Sequence, residues 1–116
     1  MKLVRFGSPG FERPGVWLEN APGLDGNAIL DVRAMAFDME DFNEHFFKTS
    51  GLARVAALLK EKNLKFVSAE GVRLGPPIAN PAAIICMGGN YSDHVKESAS
   101  IMPKNPVFFS KATTAI

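Results

Sequence analysis

The sequence is poor in cysteine, in long apolar runs and in net charge. Its single cysteine, Cys86, excludes an internal disulfide and any zinc site built on several cysteines. No run of about 18 uncharged apolar residues is present, as a bilayer-spanning helix would need. The 13 basic residues nearly balance the 12 acidic ones and are scattered, which argues against nucleic acid or an anionic membrane as the partner. Lys2 and Arg5 interrupt the apolar stretch of a signal peptide, so we expect a cytoplasmic protein.

What is present indicates a small folded protein or a piece of a larger one. The chain has 116 residues, of which 47% are apolar and 22% are charged, close to the average of soluble globular domains. Its 10 glycines and 8 prolines are typical of a turn-rich protein. We therefore predict an α+β fold or an all-β fold rather than a helical bundle.

The first third of the chain predicts an antiparallel sheet. Clusters of Gly, Pro, Asn and Asp at 7–10, 14–15 and 20–27 separate three short apolar runs at 2–6, 16–18 and 29–33. Short strands joined by such turns usually pair with their neighbours along the chain. This pattern predicts three antiparallel strands.

The period of the apolar residues then changes to that of a helix. Asp38 is a candidate N-cap for a helix that carries Met39, Phe42 and Phe46 on one face and that Gly51 closes. A second apolar stripe predicts another helix over 52–62. We interpret the apolar rows as packing against the sheet, and His45 beside them as a structural or surface residue.

A proline-rich segment separates two parts of different character. After a predicted strand at 64–67, residues 71–81 read as a connector, which divides the chain into an αβ domain at 1–70 and a new domain at 82–116. The apolar run 82–87 predicts a strand buried on both faces, in which Cys86 is a small core residue. Val107–Phe109 predicts a second strand.

The residues after the first of these strands form the constellation that could carry chemistry. Tyr91, His94 and Glu97 recur every three residues, so on a helix they would share one face. Glu97 would fix the tautomer of His94, which would take a proton from water as a general base. The Tyr91 hydroxyl would hold a substrate oxygen, and backbone amides after Gly88 could face developing negative charge. The alternative is an ordinary exposed His–Glu ion pair.

Three further residues are weaker candidates. Asp93 could join His94 and Glu97 around a metal ion, but on a helix it projects away from both, so we predict no metal site within the chain. Asn90 and Lys111 are candidates for substrate binding, although a solvated lysine at the end of a strand is the alternative for Lys111.

The segment around Tyr91, His94 and Glu97, together with four other segments of the chain, resembles the opening of the fumarylacetoacetate hydrolase family. The resemblance covers the whole chain, and its most specific part is the string Gly-x-Asn-Tyr-x-x-His-x-x-Glu at 88–97. The other segments that carry it are Met1–Gly7, Glu12–Gly15, Val72–Pro77 and Asn105–Lys111.

The resemblance implies a small N-terminal αβ domain followed by the first strands of a truncated mixed β-sandwich roll. It implies a cytoplasmic, homodimeric complete enzyme that binds Mg²⁺, Mn²⁺ or Ca²⁺ and hydrolyses, isomerises or decarboxylates 2,4-diketo or 2-hydroxy-dienoic acids. His94 and Glu97 match the water-activating pair of that family. One departure is Gly89, where the family usually has a larger apolar residue.

A second departure concerns the metal. The family holds it with a Glu-x-Glu string and a later aspartate, and no Glu-x-Glu occurs in these 116 residues. We therefore expect an N-terminal fragment of a metal-dependent hydrolase that binds no metal and is inactive alone, with poorly protected residues at 80–116. The alternatives are a non-catalytic domain that binds a partner protein through its open sheet edge, and a small metal-free enzyme using His94 and Glu97.

Overall fold

The computed structural model describes residues 1–21, 23–91, 93 and 103–116. By its internal packing the chain divides into two compact units, Met1–Ala79 and Asn80–Ile116. Helices and antiparallel strands are both present, while the β-sandwich roll that the resemblance implies stays a prediction. Among the described residues, none of the helices is long and apolar enough to cross a bilayer.

The first unit is built on a five-stranded antiparallel sheet in the order β4-β3-β2-β1-β5. Its strands are β1 (Lys2–Phe6), β2 (Arg13–Leu18), β3 (Ala28–Asp31), β4 (Phe66–Ser68) and β5 (Leu74–Gly75). The predicted pairing of the first three strands is confirmed. β5 lies within the segment predicted to be a connector and pairs with β1. The predicted domain limits stay predictions.

The third strand is shorter than its apolar pattern indicated, because an aspartate ends it. One carboxylate oxygen of Asp31 accepts a hydrogen bond from the Ala34 amide at 3.0 Å and so caps the one-turn helix α1 (Val32–Met35). The other oxygen pairs with Arg13 at 2.7 Å. The predicted continuation of the strand to Arg33 is therefore wrong.

The helical segment begins later than predicted. Helix α2 spans Glu44–Lys48, and its N-cap is Asn43, whose side chain accepts a hydrogen bond from the Phe46 amide at 3.0 Å. Asp38 instead forms an exposed ion pair with Arg54 at 2.7 Å. Met39 and Phe42 are nevertheless buried as expected, and they reach the core from irregular backbone.

Gly51 begins a helix rather than ending one. It is the first residue of α3 (Gly51–Leu58), which stops four residues before the predicted end at Lys62. A Cβ at position 51 would collide with the ring and the carbonyl oxygen of Phe46. Glycine is therefore required here because α3 starts directly against α2.

The core of the first unit lies between one face of the sheet and the helices. Phe42 and Phe46 meet at its centre with tilted rings whose centroids are 4.8 Å apart. The first apolar row packs against the sheet as predicted, whereas in the second row Val55 reaches the core and Leu52 is 46% exposed. The core residues are Val16, Leu30, Val32, Met39, Phe42, Phe46 and Val55.

The second unit contains two antiparallel strands, β6 (Ile84–Gly88) and β7 (Val107–Lys111), and a 3₁₀ turn at Thr113–Ala115. Both strands were predicted. Burial of the first on both faces was not correctly predicted, because Ile85 is 71% exposed and Cys86 is only half-buried. Within the described residues of this unit, the two strands pair only with each other.

We expect Asp31→Ala to lower the free energy of unfolding of this chain by about 2 kcal/mol, because it removes a helix cap and leaves Arg13 without its carboxylate. Urea unfolding followed by the fluorescence of Trp17, the single tryptophan, measures the change. Asp25→Ala in the exposed loop is the matched control and should have no effect. Equal midpoints for both variants would contradict the structural role of Asp31.

Candidate functional site

The two residues predicted to activate water, His94 and Glu97, lie outside the described residues. Their placement on one helical face with Tyr91 therefore stays a prediction. Asp93, between them and the turn, is described as helical and exposed. Apart from Asp93, the described residues that precede them most closely in the sequence are β6 with the turn that follows it, and β6 pairs with β7.

A glycine turn presents the first candidate side chains. β6 ends at Gly88, and Gly89 has a φ of 62°, in the left-handed region that other residues adopt at a cost. Asn90 and Tyr91 follow directly, and Tyr91 is 76% exposed. The Tyr91 ring is therefore accessible to a small molecule at the end of a strand, as its proposed contact with substrate requires.

Lys111 is held at the other end of the strand pair. The register places Lys111 opposite Ile84 and Val107 opposite Gly88. Ile84 and Gly88 are four positions apart, which corresponds to about 13 Å along a strand at roughly 3.3 Å per residue. The pairing of β6 with β7 therefore does not bring Lys111 to the start of the turn that carries Asn90 and Tyr91.

Both faces of this strand pair carry apolar side chains. Ile85, Met87 and Phe108 lie on one face, because residues opposite each other in an antiparallel pair share a face. Cys86 and Phe109 lie on the other face, together with Val107 and Lys111. Phe108 is 62% exposed and Phe109 is 47% exposed. The turn is thus displayed by a hairpin that offers apolar contacts on both sides.

The described residues do not fit a divalent metal ion. Within the described ranges, no group of three or more His, Cys, Asp or Glu side chains converges as such a site needs. The most buried carboxylates, Glu12, Asp31 and Asp41, are all engaged by arginine side chains. No chemical step through a metal is derived from these residues.

The first unit has a cleft of about 300 Å³ beside α2, with Met39 and Phe46 among the apolar residues that line it. His45 lines the cleft and is exposed, which agrees with its interpretation as a surface residue. The Asp38–Arg54 ion pair also lines it, and Asp41 in its wall is bound by Arg5. Two of the four carboxylate and imidazole side chains that line the cleft, those of Asp38 and Asp41, are therefore paired with arginine.

Sequence reasoning missed a cluster of four charged side chains in the first unit. Arg5 donates to both oxygens of Asp41 at 2.8 Å, and Arg73 donates to Glu12 at 2.8 Å. The hydrogen bond from Arg73 lowers the pKa of Glu12, and the hydrogen bond to Asp41 raises the pKa of Arg5. The partners are 36 and 61 residues apart in the sequence, so no local pattern could have indicated them.

Comparison with known proteins gives relatives for the whole chain, although no family model matches it. A Burkholderia multivorans protein named "Putative hydrolase" is 35% identical over 116 residues, which are all of this chain and 37% of that protein. The mitochondrial oxaloacetate tautomerase Fahd2a of Rattus norvegicus is 33% identical over 120 residues, covering all of this chain and 36% of the rat protein. The corresponding fahd2 protein of Xenopus laevis is 32% identical over 117 residues, again 36% of its length.

These matches agree with the resemblance to the fumarylacetoacetate hydrolase family. They do not distinguish a hydrolase from a tautomerase, because relatives with either name match at 32–35% identity. The aligned region extends over all 116 residues. The chain spans little more than one third of the length of these curated relatives.

We expect Gly89→Ala to destabilise the turn by about 1 kcal/mol, because an alanine at this φ meets the steric cost of the left-handed region. Amide hydrogen exchange in β6 and β7 measures the effect, which should be confined to that hairpin. Gly88→Ala is the matched control: its Cβ would lie 3.6 Å from Val107 Cγ1, an ordinary contact. If Gly88→Ala accelerated exchange as much as Gly89→Ala, the conformation of Gly89 would not be what shapes the turn.

Proposed function

We propose that this chain is the N-terminal part of a metal-dependent enzyme of the fumarylacetoacetate hydrolase family that hydrolyses a carbon–carbon bond in 2,4-diketo acids. The observation that carries the proposal is the similarity of the whole chain to a protein named as a hydrolase. The string at 88–97 supports it, because it contains a histidine and a glutamate at the spacing of a base and its orienting carboxylate.

In this proposal, His94 takes a proton from water while Glu97 holds the other ring nitrogen. The resulting hydroxide bonds to a substrate carbonyl carbon, the adjacent carbon–carbon bond breaks, and the carbon that leaves takes a proton. Asn90 and Tyr91 contact the substrate from the exposed turn after β6. Lys111 lies at the opposite end of the strand pair. It contacts the substrate only when the substrate is long enough to reach that end or when other parts of the complete enzyme bring the two together.

The metal is a property of the complete enzyme in this proposal. Mg²⁺, with Mn²⁺ or Ca²⁺ as alternatives, would stabilise negative charge on the substrate oxygens. We expect its carboxylate ligands to come from further polypeptide, because the resemblance implies a Glu-x-Glu string and these 116 residues contain none. A homodimeric complete enzyme and a cytoplasmic location stay predictions.

A second candidate reaction is keto–enol tautomerisation of a 2-oxo acid. The rat and Xenopus laevis relatives, named as oxaloacetate tautomerases, favour it. The same base suffices: His94 would remove a proton from the carbon next to the carbonyl, and the carbonyl oxygen would gain a proton as the enol forms. A non-catalytic interaction domain is not favoured, because the relatives reported above carry the names of enzymes.

We expect His94→Ala to lower the kcat of the complete enzyme about 100-fold or more, because general-base catalysis typically contributes that much. Binding of Mg²⁺, measured by calorimetry, should change little. Glu97→Gln should have a smaller effect on kcat. His45→Ala is the matched control, because His45 is the other of the two histidines and is exposed on α2.

Assays with an acylpyruvate and with oxaloacetate distinguish hydrolysis from tautomerisation. Hydrolysis splits the substrate into two smaller acids, whereas tautomerisation breaks no carbon–carbon bond. Loss of magnesium binding in parallel with kcat would show that His94 acts on the metal rather than as the base. Equal loss in His45→Ala would show that neither histidine is specific to the chemistry. Cleavage of an acylpyruvate by the 116-residue chain alone would contradict the need for further polypeptide.

A further inference from the structure

Residues 73–79, called here the strap, are attached to the first unit with little apolar burial. The strand within the strap, β5, is two residues long and makes two residue pairs with β1, Arg5 with Gly75 and Phe6 with Leu74. Leu74 is 45% exposed and Ile78 is 37% exposed. Ala79 is buried but small. Apolar contact therefore accounts for only a small part of the attachment.

A carboxylate and a guanidinium hold the beginning of the strap. One Nη atom of Arg73 donates to Glu12 Oε1 at 2.8 Å and to the Gly7 carbonyl oxygen at 3.1 Å. The Gly7 amide donates in return to the Arg73 carbonyl oxygen at 3.1 Å. The Glu12 side chain is 8% exposed, and its second oxygen accepts from the Gly10 amide at 3.0 Å. Glu12 thus joins the 7–12 turn to the strap.

A second pair holds the middle and the end of the strap. Arg5 lies in β1, makes two hydrogen bonds to Asp41 and donates a third to the Pro76 carbonyl oxygen at 3.2 Å. Asp41 also accepts from the Phe42 amide at 2.8 Å, and the Phe42 carbonyl oxygen accepts from the Ala79 amide at 2.9 Å. Arg5 lies 3.7 Å from Glu12, so both pairs form one cluster.

The backbone of the strap is shaped to fit this cluster. A Cβ at Gly75 would lie 2.8 Å from Glu12 Cγ and 2.9 Å from Glu12 Oε1. The Glu12 side chain therefore lies directly against β5 in space that only glycine leaves open. Attachment of the strap and placement of the Glu12 carboxylate depend on each other.

We propose that the strap is an electrostatically held element that detaches as one unit from the rest of Met1–Ala79 when Glu12 loses its negative charge. Detachment would free Ala79, the last residue of the first unit, from Phe42. The C-terminal end of this unit, at Ala79, would then be mobile instead of fixed. This inference is independent of the proposed enzymatic function.

The direction of the pH dependence follows from the charges around Glu12. Arg5 approaches it from β1 and Arg73 from the strap, while Asp41, the other acid of the cluster, faces Arg5. The hydrogen bond from Arg73 lowers the pKa of Glu12 below its ordinary value of 4.5. A carboxylate of this kind stabilises the folded arrangement fully above its unfolded pKa, and that contribution is lost as the pH falls through its folded pKa. The strap should therefore stay attached at pH 4.5 and be released only when more acidic solution protonates Glu12 in the folded chain.

The test is amide hydrogen exchange in the 116-residue chain at neutral pH. We expect Glu12→Gln to accelerate exchange of the Gly7 and Ala79 amides about tenfold or more, since hydrogen bonds to charged groups stabilise by that order. The amides that join β2 to β3 should exchange at the rate of the unsubstituted chain. Arg73→Gln is the second variant, for the case that Glu12→Gln does not fold. It removes the positive partner of the same ion pair at a side chain that is 45% exposed, and it should accelerate exchange of the same two amides.

Glu19→Gln is the matched control, because it makes the same chemical change in the Lys2–Glu19 pair, where both side chains are more than half exposed. It should leave the Gly7 and Ala79 amides unchanged. Equal acceleration across β2 and β3 would overturn the proposal, because Glu12 would then stabilise the whole unit. Acceleration of Gly7 without Ala79 would also overturn it, because the strap would not move as one element. Unchanged exchange at both amides would show that the strap is held by other contacts.

Discussion

The guanidinium of Arg5 imposes the constraint on which the arrangement of the first unit depends. Its side chain is only 11% exposed, and a charge removed from water destabilises a fold unless carboxylates and carbonyl oxygens surround it. Asp41 satisfies two of its donors and the Pro76 carbonyl oxygen a third. Those partners come from the segment before α2 and from the segment around β5. Pairing one buried cation therefore brings together three parts of the chain that are far apart in sequence.

The local pattern of the sequence was sufficient for the first three strands and insufficient for the helices. Clusters of glycine and proline mark the ends of β1, β2 and the loop before β3, and those signals act within a few residues. Asp38 and Asn43 are both capable caps, and only tertiary packing selects Asn43. Met39 and Phe42 enter the core from irregular backbone, so a helical spacing of apolar residues arises without a helix over that stretch.

The candidate site shows the same division between local and distant information. The exposed Tyr91 after a glycine turn could be expected from adjacent residues alone, because a strand followed by Gly-Gly must turn there. The position of Lys111 could not, because it depends on the register of β6 with β7. That register places Lys111 opposite Ile84, and a shift in strand pairing would have placed it elsewhere. The strand register, which the local sequence does not determine, therefore sets the distance between Lys111 and the turn after β6.

The exposed hairpin of the second unit sets a physical requirement on the proposed chemistry. A general base must be held within about 0.5 Å of its productive position, which takes rigid supporting elements. A sheet of two strands is marginally stable in water by itself, and Ile85, Phe108 and Phe109 on the faces of β6 and β7 are exposed in the part of the chain that the structure describes. The turn after Gly88 inherits any motion of the strand that bears it. The proposed activity at this turn therefore requires that other residues, from this chain or from another polypeptide, cover both faces of the strand pair, because only then would Asn90 and Tyr91 follow a rigid strand.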